Sequence, residues 1–208
     1  MKLAKILIIL FAVIALLGGI FASHFYTQKT SLESAKTATI FSPPQEISKF
    51  SLVDSQGRPF NNNTFWGHWT FIFFGFTTCA QICPTTMNDL NQMYQSLLKN
   101  QQNPMPQVVL ISIDPATDTL EKLGNYVQSF NPHFQGATGD KSEIDKLTSH
   151  LGILYQKTKD KKTGLETIDH SGAILLVDPS GKLAAIFSAP HDPVAMAKDF
   201  QVIVSNSG

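Results

Sequence analysis

The sequence predicts an α/β fold, a mixed central sheet flanked by helices, preceded by an amino-terminal membrane anchor. Three observations predict it. Trp69–Gly75 and Gln107–Ile113 are apolar without alternation, as strands buried on both faces are. Each is followed by a stretch with helical spacing, the signature of crossovers between neighbouring strands. Later, Ala173–Val177 and Leu183–Phe187 flank Asp178-Pro-Ser-Gly-Lys182, a hairpin turn.

The elements follow in order. Met-Lys-Leu-Ala-Lys opens the chain, and the 17 residues Ile6–Ala22 carry no charge. That length sits at the short limit of a membrane span and beyond the usual core of a signal peptide. The lysines before the run keep residues 1–5 cytoplasmic and export the rest. An uncleaved anchor over 1–22 is preferred to a cleaved signal peptide, because Ile20 in Ile20-Phe-Ala22 is not the small residue that cleavage favours. Residues 23–44, rich in Ser, Thr, Lys and Ala and ending in Ser42-Pro-Pro44, read as a spacer. The domain then occupies 45–208.

Within it, Phe50–Asp54 alternates and Ser55-Gln-Gly-Arg58 turns, so a short hairpin is expected. Pro84 suits a first helical turn, and Met87, Leu90, Tyr94, Leu97 and Leu98 mark one face of a helix reaching Lys99. Asp118 with Glu121, and Asp140 with Glu143, have the capping-box spacing and open helices ending near Phe130 and Gly152. Leu154–Lys159 and Leu165–Ile168 form a second hairpin, and a last helix runs from about Asp192 to Val204. Strand, helix, strand, helix, helix, hairpin, helix matches the thioredoxin-like class, with an extra hairpin at each end.

Charge excludes one class of partner. With Lys2 and Lys5 set aside, residues 23–208 carry 14 basic and 16 acidic side chains. A slightly acidic domain gives no reason to expect nucleic acid.

The chain has two cysteines, Cys79 and Cys83, at the junction of a strand and a helix. There, unpaired amides and the positive end of the helix dipole favour a thiolate, which is both nucleophile and metal ligand. In an exported protein an ordinary pair closes into a structural disulfide. Over so short a loop a bridge removes little chain entropy, so a reactive or metal-binding pair is the better reading. Residues four apart on a helical turn hold their Cβ atoms about 5–6 Å apart. A disulfide prefers about 3.5–4.5 Å, which tilts the pair towards a shared metal.

Two thiolates leave a metal site incomplete, and six histidines are available. His24, His68, His133 and His191 read as surface residues, and His150 as a cation in the last turn of a helix. His170, in Asp169-His-Ser-Gly172 immediately before a buried strand, stands at the mouth of the sheet and is the candidate third ligand. Two cysteines and one histidine suit copper: thiolates select Cu(I), and one imidazole makes Cu(II) tolerable. Zinc would accept the same ligands but usually closes structural sites with four.

Four segments carry a family resemblance: Phe73-Phe-Gly-Phe-Thr-Thr-Cys79-Ala-Gln-Ile-Cys83-Pro-Thr-Thr, Ser112-Ile-Asp-Pro-Ala-Thr-Asp-Thr119, Asp169-His-Ser171 and Val177-Asp-Pro-Ser-Gly-Lys182. In that order they resemble the Sco/SenC family across about residues 45–205. The resemblance implies a thioredoxin-like fold and a copper site made by Cys79, Cys83 and His170. It also implies a role in maturing the binuclear copper centre of cytochrome c oxidase. The partners would be the copper-accepting oxidase subunit, with a thiol reductant or a copper donor protein. The setting would be a bacterial inner membrane, with the domain facing the periplasm. Asp114 and Asp118 match the family's acidic segment, an electrostatic or partner-docking element; a helix cap at Asp118 and a turn acid before Pro115 at Asp114 are the preferred explanation.

One departure stands out. The family usually has proline and then aspartate after the first cysteine, where this chain has Ala80 and Gln81. Losing that carboxylate removes a charge favouring a bound cation and a group that raises thiol pKa values. Two functions therefore compete: a copper chaperone, and a thiol-disulfide oxidoreductase acting on the oxidase's copper-ligand cysteines. A copper site needs His170; a reductase does not. A thiol peroxidase is disfavoured because the domain's only arginine, Arg58, lies in the first hairpin turn.

Overall fold

The computed structural model describes residues 11, 13–19, 35–80, 82–159 and 166–207, with backbone alone for 157–159 and 166–170. The expected anchor over 1–22 and spacer over 23–34 lie largely outside the described residues; residues 11 and 13–19 are helical and exposed. Among the described residues, no helix is long and apolar enough to cross a membrane.

Residues 37–197 form one compact unit, and the described residues outside that range cluster as a second. The first unit is built on an eight-stranded sheet in the order β1-β10-β9-β4-β5-β6-β2-β3. The strands are β1 (Ala38–Gln45), β2 (Ser51–Asp54), β3 (Pro59–Asn61), β4 (Thr70–Gly75), β5 (Gln107–Ser112), β6 (Gln135–Thr138), β9 (Ile174–Val177) and β10 (Leu183–Phe187). β7 (Tyr155–Lys159) and β8 (Glu166–His170) pair separately as an antiparallel ribbon. The helices are α1 (Ile82–Lys99), α2 (Leu120–Phe130), α3 (Lys141–His150) and α4 (Pro193–Ser205).

β4, β5 and β6 run parallel, so each step between them needs a crossover, which α1 and α2 supply. β4 also pairs antiparallel with β9, which makes the sheet mixed as expected. β4 is buried at every position, and its phenylalanines Phe71, Phe73 and Phe74 have no exposed surface. All three expected hairpin pairings form: Leu52 faces Phe60 across β2–β3, β7 pairs with β8, and Gly181 adopts φ +83° in the β9–β10 turn, a conformation that glycine permits.

The structure corrects several expectations. Residues 38–44, read as the end of a spacer, belong to β1, which pairs antiparallel with β10 and puts the start of the sheet at Ala38. The misleading signal was Ser42-Pro-Pro44. These prolines fall where the register shifts, between Ile40 and Gln45, on an edge strand that tolerates a missing amide donor. β6 was not expected at all. Its sequence, Gln-Gly-Ala-Thr, is small and poor in strand formers because α2 lies on it: a Cβ on Gly136 would stand 2.5 Å from Leu123 Cγ. On α1, Leu98 is exposed, while Thr86 and Met93 join the buried face.

Neither expected capping box forms. Thr119, not Asp118, caps α2 by accepting from the Lys122 amide at 3.2 Å. Asp140 occupies the cap position of α3 without a side-chain bond, and Glu143 instead accepts from the Ser51 amide at 3.0 Å. His150 holds the Glu46 carbonyl through Nε2 at 2.9 Å, a tertiary contact where helix capping was expected.

Gly136→Ala tests the packing of α2 on β6. Overpacking a filled interior costs about 1–3 kcal/mol. The urea midpoint should fall with an unchanged slope; an unchanged midpoint would show that Leu123 yields freely.

Candidate thiol and metal centre

The carboxyl end of β4 delivers the chain into a tight turn, Phe76-Thr-Thr78, and then to the cysteines. The Cys79 amide closes that turn on the Phe76 carbonyl at 3.3 Å. Cys83 lies in the first turn of α1, and its amide points at Cys79 Sγ, 3.4 Å away. One of the helix's unpaired amides is therefore directed at the first sulfur, as the sequence predicts. No disulfide joins the two.

The thiols are unequal. Cys79 is half-buried, while Cys83 is buried completely. Gly75 makes that burial possible, because a Cβ there would stand 2.9 Å from Cys83 Sγ. Burial pushes the Cys83 thiol far above its ordinary value; a backbone hydrogen bond from Phe76 offsets part of this, and Cys79 and Asp118 push it further up.

Asp118 has no exposed side-chain surface. Its Oδ2 accepts from the Thr77 amide at 3.0 Å and from Ser112 Oγ at 2.7 Å. Its Oδ1 accepts from Thr77 Oγ1 at 2.5 Å, with Lys122 Nζ at 3.6 Å. The carboxylate thus ties the end of β5 to the turn that presents Cys79. Buried and fully engaged, it offers a partner no surface, so neither docking nor helix capping describes it. Asp114 is also buried; its amide donates to Ser112 Oγ at 3.2 Å, and its carbonyl accepts from the Thr117 and Asp118 amides. That is the turn-forming position the sequence allowed.

His170 ends β8, with its backbone opposite Tyr155; its side chain, like Gln81, lies outside the described residues. The backbone beyond it is fixed from several sides. The Ser171 amide donates to the Leu154 carbonyl at 3.1 Å. Gly172 presses on the thiol turn, since a Cβ there would stand 2.8 Å from Ile82 Cδ1, and Ile82 lies between the cysteines. Tyr155 is itself anchored on α3: its hydroxyl donates to Asp145, and Lys141 Nζ reaches Asp145 Oδ1 at 2.6 Å and the Tyr155 hydroxyl at 2.8 Å.

Cys79, Cys83 and Asp118 come together at one turn, and the His170 segment meets that turn through Gly172 and Ile82. Among the described residues no group of three His, Cys, Asp or Glu side chains stands ready to hold a metal. Two sulfurs one helical turn apart nevertheless fit a soft ion, and an imidazole from the adjoining segment would complete a three-donor set.

Sequence reasoning missed Tyr126. Its hydroxyl is buried with no hydrogen-bond partner among the described residues. Burial, then Cys83, Cys79 and Asp118, push its ionisation up, so it remains a neutral donor beside the thiols. Only its place on the face of α2 near the site reveals this, and helical spacing does not carry it. His191, read as a surface residue, is half-buried with Nε2 on the Gly172 carbonyl at 2.7 Å.

Two measurements follow from this geometry. In the reduced, metal-free chain at neutral pH, iodoacetamide should label Cys79 and spare Cys83 until the protein is denatured; equal labelling would contradict the buried thiol. Because folding raises the Cys83 pKa, the folded state holds that proton longer than the unfolded chain. The stability it contributes is present below about 9 and is lost as pH rises beyond it. Asp118→Ala should destabilise by at least about 1–3 kcal/mol in denaturant titration, because buried donors lose their acceptor; a neutral result would remove the strut.

Comparison with known proteins agrees with the geometry. The SCO1/SenC family model matches residues 39–205. A SCO2-like protein of Rickettsia conorii is 32% identical over 200 residues, covering 94% of this chain and 97% of that one. Among solved structures, copper-bound ScoI of Arabidopsis thaliana superposes with a TM-score of 0.71 at 27% identity, covering 76% of this chain and 98% of its own. Copper-bound ScoI of Bradyrhizobium japonicum gives 0.65 at 30% identity, covering 76% and 99%. With the family model spanning the whole sheet and a relative alike over nearly its full length, the chain belongs to the SCO1/SenC family.

Proposed function

We propose that this chain is a membrane-tethered copper chaperone. It binds copper through Cys79, Cys83 and His170 and delivers it to the binuclear copper site of cytochrome c oxidase. The observation that supports the reading is the close approach of Gly172, two residues beyond His170, to Ile82 between the cysteines. Family membership and the copper-bound relatives support the choice of metal.

Copper, when bound, is the cargo. Cys79 and Cys83 hold it as Cu(I), and His170 adds the nitrogen donor that makes Cu(II) acceptable. Transfer proceeds by ligand exchange with the thiolates of the accepting oxidase subunit. Cys79, the more exposed sulfur, is the one a partner reaches first. Residues 1–22 anchor the chain in a bacterial inner membrane, and residues 23–37 lift the domain into the periplasm.

A second reading draws on the inequality of the thiols. A half-exposed sulfur at a helix amino terminus and a buried one behind it are arranged as attacking and resolving groups. Cys79 thiolate would attack a disulfide of the oxidase subunit and release one partner thiolate. Cys83 would then displace the second, leaving Cys79–Cys83 oxidised and the partner reduced by two electrons. A thiol reductant would restore the pair.

The test uses the full chain, purified reduced in detergent. One Cu(I) per chain and sulfur-to-copper charge-transfer bands on adding Cu(II) are expected. Cys79→Ser and Cys83→Ser should each abolish both, and His170→Ala should lose the Cu(II) bands. Unaltered Cu(II) spectra in His170→Ala would sink the three-ligand site. Rapid reduction of the oxidase subunit's disulfide by the metal-free chain, undisturbed in His170→Ala, would favour the reductase.

A further inference from the structure

His191 lies in the loop between β10 and α4, on the side of the thiol turn occupied by Gly172. A carbonyl oxygen only accepts, so the 2.7 Å contact with the Gly172 oxygen places the hydrogen on His191 Nε2. The other ring nitrogen, Nδ1, is buried without a hydrogen-bond partner among the described residues. A histidine with no task would turn both nitrogens to water. This one gives up solvent at Nδ1 while Nε2 holds a single backbone carbonyl.

That carbonyl matters because of its neighbours. Gly172 is two residues beyond His170. It is wedged between Ile82, which a Cβ would approach to 2.8 Å, and Ala189, at 3.3 Å. Ala189 is two residues before His191, so the loop both packs on Gly172 and bonds to it. The Ser171 amide is held separately on the Leu154 carbonyl at 3.1 Å. The backbone leaving β8 is thus clamped by a hydrogen bond on each side, and His191 is the only side chain among these two clamps.

We propose that His191 is a positioning residue. By holding the Gly172 carbonyl it fixes the backbone that carries His170 against the cysteine turn, and so sets the chain's affinity for Cu(II) while leaving two-sulfur Cu(I) binding intact. This rests on the three-ligand reading above. Cu(I) is satisfied by two thiolates, whereas Cu(II) depends on the imidazole, so loosening the His170 segment should separate the two oxidation states. Groups that orient metal ligands from behind change affinity by about 10–100-fold.

Two variants of the full chain test it, because side-chain amides mimic the two ring nitrogens separately. The amide nitrogen of His191→Gln reaches about as far as Nε2 and should keep the Gly172 bond; His191→Asn is too short to do so. His191→Asn is expected to bind Cu(I) as the wild type does and to lose about tenfold or more in Cu(II) affinity. The imidazole-nitrogen coupling in the electron paramagnetic resonance of its Cu(II) form should weaken or become heterogeneous. His191→Gln should restore both. Equal losses of Cu(I) and Cu(II) in His191→Asn would mark a merely structural residue and overturn the proposal. Unchanged Cu(II) binding, or a Gln variant no better than Asn, would also overturn it. If His170→Ala binds Cu(II) as the wild type does, the three-ligand site falls and this inference with it; if His170→Ala fails while His191→Asn does not, only this inference falls.

Discussion

The thiol turn depends on one buried carboxylate. β4 and β5 run side by side and end together, with a last backbone bond from the Ile113 amide to the Gly75 carbonyl at 2.9 Å. Asp118 joins them by taking the Thr77 amide and hydroxyl from one side and the Ser112 hydroxyl from the other. A charge without exposed surface is expensive to bury unless it is saturated with donors, and these three bonds with Lys122 at 3.6 Å provide that saturation. The same charge lies close enough to raise the Cys83 pKa. Asp118 therefore fixes the geometry of the cysteine turn and also favours the protonated form of its inner thiol.

That combination explains why the two sulfurs differ although they stand only four residues apart. Cys79 receives an amide from the helix and partial access to solvent. Cys83 is buried against Gly75, with a carboxylate nearby and the Tyr126 hydroxyl without a partner among the described residues. A cation entering between the sulfurs would reverse each of these penalties. It would compensate the negative charge of two thiolates and give the field of Asp118 a favourable sign. The arrangement opposes an isolated Cys83 thiolate and suits a metal-bound one.

How much of this could be read in the sequence depended on whether the signal was local. The buried strands β4 and β5, the three hairpins and the start of α1 are written in runs of apolar residues and turn residues, and they emerged. β6 and β1 did not, because each is defined by a neighbour: Gly136 is small because Leu123 sits on it, and Ser42-Pro-Pro44 is tolerated because β1 lies at an edge. The site divides in the same way. Cys79 and Cys83 announce themselves by chemistry and spacing. Asp118 was visible as an acid but was assigned to the wrong hydrogen bonds, since its acceptor role is completed by Thr77, forty-one residues earlier. Tyr126 and His191 carried no local mark at all.

The substitution of Ala80 and Gln81 for the family's usual proline and aspartate bears on which function this geometry favours. Neither Ala80 nor Gln81 carries a charge, so the sequence between the cysteines presents no acid to solvent or partner. The nearby negative charge defined by the structure is then internal, on Asp118, where a docking protein cannot reach it. A purely redox pair would gain from this change, because a carboxylate beside a thiol opposes its thiolate form. A copper site would lose one favourable charge but keep another, along with both sulfurs and a histidine segment held on the same turn by Gly172. The fixed placement of that segment is the part of the geometry that electron transfer alone does not explain, and it weighs towards copper.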